Sequence, residues 1–160
     1  MIEIIPNWHP TFVHFTVALI SMATFFYCAA LIFHNKRFGQ EMLIAGRWCL
    51  WTGALAAIVT VTAGFIAYYS VEHGSPSHAA MNIHRNWALG TLIVVLVISL
   101  WSVIIYRKDK KISLWFILGL LIAFTLVAIT AWHGAELVYR YGLGVMSLPK
   151  TEQTNQGHSN

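Results

Sequence analysis

Four long apolar stretches constrain this chain more than any other feature of its sequence. They cover roughly residues 11–33, 43–71, 83–106 and 112–135, and only 10% of the 160 residues are charged. An average soluble domain carries about 25% charged residues. At about 1.5 Å per residue, each stretch is long enough as a helix to cross a hydrocarbon core of about 30 Å. The sequence therefore predicts an all-α fold, a bundle of four transmembrane helices.

Little chain remains outside these four stretches. We predict one four-helix transmembrane domain over residues 1–146, followed by a disordered tail over 147–160, whose sequence SLPKTEQTNQGHSN is polar. The sequence shows no soluble domain, internal repeat, nucleotide-binding glycine loop, or serine or cysteine nucleophile arrangement. Most enzyme classes are therefore disfavoured, and an electron carrier or redox subunit fits better than a stand-alone enzyme.

The basic residues predict how the helices are oriented. Seven of the ten lysines and arginines flank the link between the first two stretches or lie in the link between the last two: Lys36, Arg37, Arg47, Arg107, Lys108, Lys110 and Lys111. Basic links are typical of the cytoplasmic side of a membrane. We therefore expect both chain termini on the outer, periplasmic side of a bacterial inner membrane.

The histidines gather at the opposite end from the basic links. Six of them map to the predicted outer end and come from three helix ends and one loop: His9, His14, His73, His78, His84 and His133. Only His34 maps to the inner end. Ionisable side chains inside membrane spans are costly and usually serve a function, and a four-helix bundle can converge such residues on one site.

This pattern suggests a b-type haem near the outer surface. Such a haem needs two neutral imidazoles from facing helices, an apolar slot and cationic groups for its propionates. His14 paired with His84 or His133 is the expected axial set, and His9, which immediately precedes the first helix, is a further candidate. At the rim, Arg85 and Arg140 are expected near the propionates. With no second imidazole at the depth of His34, we expect one haem, or two close to the outer face.

Two other functions remain open. His14, His84 and His133, with a carboxylate such as Glu72 or Glu136, could instead bind copper, zinc or iron without a porphyrin. Alternatively, the chain is a structural subunit of a respiratory membrane complex, in which the histidines only form hydrogen bonds between helices.

Several motifs together resemble a known family. They are HPTFVHF at residues 9–15, a glycine-bearing second span, HRNW at 84–87 and HGAELVYRYGLGV at 133–145. These look like the bacterial four-helix membrane family catalogued as domain of unknown function 2231. The resemblance implies a redox role, because similar domains are fused to Rieske iron–sulfur or c-type cytochrome domains. It implies a quinone, or a separate c-type cytochrome or Rieske protein, as electron partner. The residues that match the family motifs, and to which this implied role applies, are His9, His14, His84, Gly134, Glu136 and Tyr139.

Overall fold

The computed structural model describes residues 8–70, 75–108 and 111–145 as a bundle of four helices. They are α1 (His9–Ile32), α2 (Arg37–Ser70), α3 (Ser75–Arg107) and α4 (Leu114–Tyr139). Each helix packs on its neighbours along the chain, and α1 also packs on α4, so that α1 lies diagonal to α3 and α2 to α4. The all-α, four-helix prediction is therefore confirmed. The predicted tail over 147–160 lies outside the described residues.

Two helix ends differ from the predicted ones. His9 belongs to α1, whose first turn is closed by the carbonyl of Trp8, instead of preceding that helix. At the other end of the chain, α4 continues to Tyr139, beyond the predicted end near residue 135. It stops where the N–H of Gly142, at φ 65°, donates to the Val138 carbonyl. A single glycine inside a helix lowers its stability without ending it, whereas a left-handed glycine does end it.

The two halves of the bundle repeat each other, which corrects the expectation of no internal repeat. Buried positions of α1 recur 75 positions later in α3, and those of α2 recur 70 positions later in α4. The matched buried pairs include Thr16 and Thr91, Ile20 and Val95, Tyr27 and Ser102, Leu50 and Leu120, and Ala57 and Val127. The repeat is faint in sequence because most of the lipid-facing positions between the buried ones differ between the two halves.

Matched polar contacts join the helices within each half. Thr16 and Thr60 hydroxyls lie 2.8 Å apart between α1 and α2, and the equivalent Thr91 and Thr130 hydroxyls lie 2.7 Å apart between α3 and α4. A hydroxyl bond between membrane helices contributes on average about 0.6 kcal/mol. The same contacts in both hairpins indicate an approximate two-fold relation between α1–α2 and α3–α4.

Large apolar side chains cover the outside of the bundle. Phe15, Leu55, Ile93 and Trp115 are all more than half exposed, and each helix carries further exposed large apolar side chains. All four helices are long and apolar enough to span a membrane. A surface of this kind is suited to lipid, since exposed apolar patches of this extent are rare on soluble proteins.

Candidate functional site

A cavity of about 370 Å³ opens at the end of the bundle where α1 and α3 begin and α2 and α4 end, which we call the histidine end. Its walls are mostly apolar and come from all four helices and from the chain after α4. His9, His84, Arg85 and Tyr68 are its polar side chains. This size and lining are typical of small-molecule sites, which span about 300–1,000 Å³ and carry few polar groups.

His9 is held in a defined orientation by α2. Its Nδ1 lies 2.9 Å from the Thr60 carbonyl oxygen, and since a carbonyl only accepts, Nδ1 carries the proton and donates it. In that tautomer the lone pair is on Nε2. The ring also rests on Gly64, where a Cβ would lie only 3.0 Å from Nδ1 and Cε1. A backbone carbonyl on the far nitrogen is the usual way that proteins orient a ligating histidine.

His84 occupies the equivalent place in the second hairpin. Its ring rests on Gly134 of α4, where a Cβ would lie 3.2 Å from Cε1. The Thr130 carbonyl, one turn before Gly134, lies near this imidazole, and the Thr60 carbonyl, which accepts from His9, likewise lies one turn before Gly64. Among the described residues, no group makes a well-formed hydrogen bond to the buried Nδ1 of His84. The chain therefore orients His84 less firmly than it orients His9.

The two imidazoles meet across the diagonal of the bundle. Their ring centres are 6.2 Å apart and their planes form an angle of 76°. Two imidazoles that bind one metal from opposite sides, with metal–nitrogen bonds of about 2.0 Å, have ring centres about 6 Å apart. The separation of His9 and His84 therefore matches a bis-imidazole site.

Arg85 places a positive charge on the wall of this cavity. Its guanidinium carbon lies 5.3 Å from the centre of the Tyr68 ring, and the Tyr68 hydroxyl donates to Asn82 at 2.9 Å. Within the described part of the chain, Arg85 pairs with no carboxylate. The equivalent position in the first hairpin is Pro10, so this cation lies on one side of the cavity only.

The structure does not bring the other predicted ligands to this cavity. His14 is exposed, and its Nδ1 lies 2.6 Å from the Pro10 carbonyl of its own helix. His133 stacks on Trp87 at 5.9 Å between ring centres, and its Nδ1 lies 3.5 Å from Glu136. Neither residue lines the cavity, so the expected pairing of His14 with His84 or His133 is not the pairing that the fold offers.

The remaining predicted residues lie outside the cavity as well. Arg140 forms an ion pair with Glu136 at 2.7 Å and is largely exposed. Tyr139 is 89% exposed on the outer surface of α4. His73 and Glu72 lie outside the described residues.

The fold, the apolar surface and the motifs can be compared with known families. A family model described as a predicted membrane protein, DUF2231, matches residues 6–147. The chain belongs to this family. As a DUF2231 protein with four candidate spans, it is a multi-pass membrane protein whose helices contact lipid. No curated protein and no protein of solved structure matches the chain.

In this DUF2231 protein, the histidine that meets His84 is His9 and not the expected His14, and Gly134 makes room for the His84 ring. A signal for the pair that meets in the structure was present in the sequence. The pattern N-x-H-x₆-T occurs at residues 7–16 and again at 82–91, and T-x₃-G-x₄-Y occurs at 60–69 and again at 130–139. Both copies place a histidine of one helix beside a glycine of the next, which singles out His9 with Gly64 and His84 with Gly134.

The described residues contain no group of three histidine, cysteine, aspartate or glutamate side chains close enough to hold a metal ion. Protein zinc sites generally take three or four ligands from the chain. A haem brings four nitrogen ligands of its own and needs only two axial ones. The described donor set of this cavity is two imidazoles, the number of axial ligands that a haem needs.

Proposed function

We propose that this protein binds one b-type haem in the cavity at the histidine end, with His9 and His84 as axial ligands, and that it transfers electrons. The observation that carries the proposal is the pair of imidazoles from equivalent positions of two hairpins, 6.2 Å apart in an apolar cavity. When bound, the haem supplies reversible one-electron chemistry.

The side chains around the cavity have separate roles in this proposal. Thr60, through its carbonyl, fixes the tautomer of His9, and Gly64 and Gly134 leave room for the two rings. Arg85 is the cation expected to pair with a propionate. The apolar walls limit the access of water, which in haem proteins is one of the factors that set the reduction potential.

The proposed partners are those that the family resemblance implies. Electrons would pass between this site and a quinone, or a separate c-type cytochrome or Rieske protein. In the proposed orientation, the histidine end faces the periplasm from a bacterial inner membrane. The opposite, basic end contributes only His34 among the histidines of the described residues, so a second haem at that end is not proposed.

A difference spectrum tests the proposal most directly. The protein is purified in mild detergent from cells supplied with haem, and its dithionite-reduced minus oxidised spectrum is recorded together with a pyridine haemochrome assay. We expect a sharp b-type α-band and close to one haem per chain. Without porphyrin absorbance, metal analysis of the same sample separates the two alternatives: stoichiometric copper, zinc or iron indicates a non-haem metal protein, and its absence indicates a structural subunit.

Alanine variants then test the ligand assignment. His9→Ala and His84→Ala should each lose most of the haem, because each removes one axial ligand. His14→Ala and His133→Ala are matched controls from the same end of the bundle and should retain it. Loss of haem in His14→Ala with full retention in His9→Ala would refute the proposed pair.

A further inference from the structure

A second and larger cavity, of about 640 Å³, lies at the end of the bundle where α1 and α3 end, which we call the basic end. Its walls come from all four helices and from the link before α4. Phe116 and the hydrogen-bonded pair of Tyr27 and Ser102, whose oxygens are 2.7 Å apart, lie on its inner wall. It is therefore separated from the histidine-end cavity by the length of the bundle core.

The charges that line this cavity are all positive among the described residues. Arg47 and Lys111 are the two permanent cations, and His34 lies beside them. Neither of the two carboxylates in the described part of the chain lines the cavity: Glu41 pairs with Arg37 at 3.2 Å, and Glu136 belongs to the other end. Arg47, which is half-buried, has no carboxylate partner within the described residues. A cation removed from water in this way is costly unless an anion approaches it.

Aromatic rings hold Arg47 in place. The guanidinium carbon lies 4.1 Å from the centre of the Tyr106 ring and 5.9 Å from that of Trp51. A ring face binds the flat side of a guanidinium and leaves the N–H donors along its edge available. Those donors match the oxygens of a phosphate, which arginine often binds with two parallel hydrogen bonds.

Neutral polar groups and apolar side chains complete the lining. Asn35, Gln40, Tyr27 and Ser102 supply further hydrogen-bonding groups. Leucine and isoleucine side chains also line the cavity: Leu31, Leu43, Ile105 and Ile112. The mixture accommodates a ligand with a compact anionic group next to an apolar portion.

We propose that the basic-end cavity binds a phosphate group, with Arg47 as its principal contact and Lys111 as its second. The phosphate is carried by an anionic membrane lipid or is free inorganic phosphate, and the chemistry of recognition is the same for both. This site is independent of the haem site, since none of its residues lines the histidine-end cavity.

The test uses the full chain in mild detergent. Native mass spectrometry measures how many molecules of phosphatidylglycerol remain bound, with zwitterionic phosphatidylcholine as the comparison lipid. Calorimetric titration with inorganic phosphate is run in parallel. The variants are Arg47→Gln and Lys111→Gln, and Arg107→Gln is the matched control, because Arg107 is exposed at the same end and does not line the cavity.

We expect Lys111→Gln to weaken binding about fivefold, the effect of one cation near an anionic group. Arg47→Gln should weaken it at least tenfold, because it removes charge-assisted hydrogen bonds worth about 1.5–3 kcal/mol. Arg107→Gln should bind as the unaltered protein does. A preference for phosphatidylglycerol that millimolar phosphate does not displace identifies a lipid headgroup, whereas calorimetric binding that depends on Arg47 identifies free phosphate.

One result overturns the proposal. If Arg47→Gln and Lys111→Gln bind phosphatidylglycerol and phosphate as well as Arg107→Gln does, the cavity is not an anion site. Should Arg47→Gln fail to fold, Lys111→Gln decides alone, since the Lys111 side chain is exposed and its loss leaves the helix packing unchanged.

Discussion

His9 and His84 occupy equivalent positions in the two helical hairpins, and their imidazole ring centres are 6.2 Å apart with ring planes at 76°. Each ring rests on a glycine of the following helix, Gly64 for His9 and Gly134 for His84. The site is therefore built twice from one pattern, with a histidine on the odd-numbered helix and a glycine on the even-numbered one. This arrangement gives matched variants whose effects can be compared directly.

The glycines beside the two imidazoles are the first test of this construction. Gly64→Ala places a methyl group 3.0 Å from the His9 ring, and Gly134→Ala places one 3.2 Å from the His84 ring. We expect either variant to displace its histidine and to lower haem affinity at least about tenfold, as loss of a group that orients a ligand does. Haem retention during gel filtration and the α-band of the reduced protein measure the effect.

Gly90→Ala is the control for these substitutions. Gly90 lies in the same half of α3 as His84, but a Cβ there would meet nothing within 4 Å. Alanine should therefore leave haem binding unchanged and stabilise the helix slightly, since glycine costs up to about 1 kcal/mol relative to alanine in a helix interior. An equal loss of haem in all three variants would mean that helix stability, and not the room around the rings, controls binding.

The charge at the rim of the histidine-end cavity gives a second prediction. Arg85→Gln should weaken haem binding about tenfold, because it removes one charge-assisted hydrogen bond to a propionate. Arg140→Gln serves as the control, since Arg140 pairs with Glu136 outside the cavity. For both variants, the rate of haem dissociation is measured by transfer of the haem to excess apomyoglobin. If only Arg140→Gln releases haem faster, the propionates lie toward α4 and the proposed role of Arg85 is wrong.

The threonine pairs test the two-fold relation through stability. Double-mutant cycles with Thr16→Val and Thr60→Val, and with Thr91→Val and Thr130→Val, should give similar coupling energies of about 0.6 kcal/mol, the average for hydroxyl pairs between membrane helices. The free energy of unfolding of each variant is measured by titration with a denaturing detergent. Coupling in only one pair would show that the two hairpins are stabilised differently despite their matched contacts.

The proposed orientation is checked by labelling from one side of the membrane. Cys28 and Cys49 are first replaced by alanine, and a single cysteine is then introduced at Tyr139 or at Lys108, which are exposed at the histidine end and the basic end. A membrane-impermeant maleimide should label Tyr139→Cys in intact spheroplasts and Lys108→Cys only after lysis. The reverse pattern would place the haem site at the cytoplasmic face. It would not affect the assignment of His9 and His84 as ligands.

The position of His9 and His14 on α1 explains why the sequence does not show which of them faces the cavity. His9 and His14 are five residues apart and thus about 140° apart around α1, so only one of them can point into the bundle. In a soluble protein, polar residues on the outer face would reveal which one. Here both faces of α1 are apolar, because lipid covers one and the core covers the other, and the pattern around the helix carries little signal.

The sequence by itself determined the four spans, the all-α architecture and the gathering of histidines at one end, since apolar length and the depth of a residue along its helix can be read directly from the chain. Only the tertiary structure decided that His9 meets His84, that His14 faces outward and that His133 pairs with Glu136. Those outcomes depend on how each helix is rotated about its axis. That rotation is fixed by close contacts between helices, such as Gly64 with His9 and Thr91 with Thr130, which no single helix specifies.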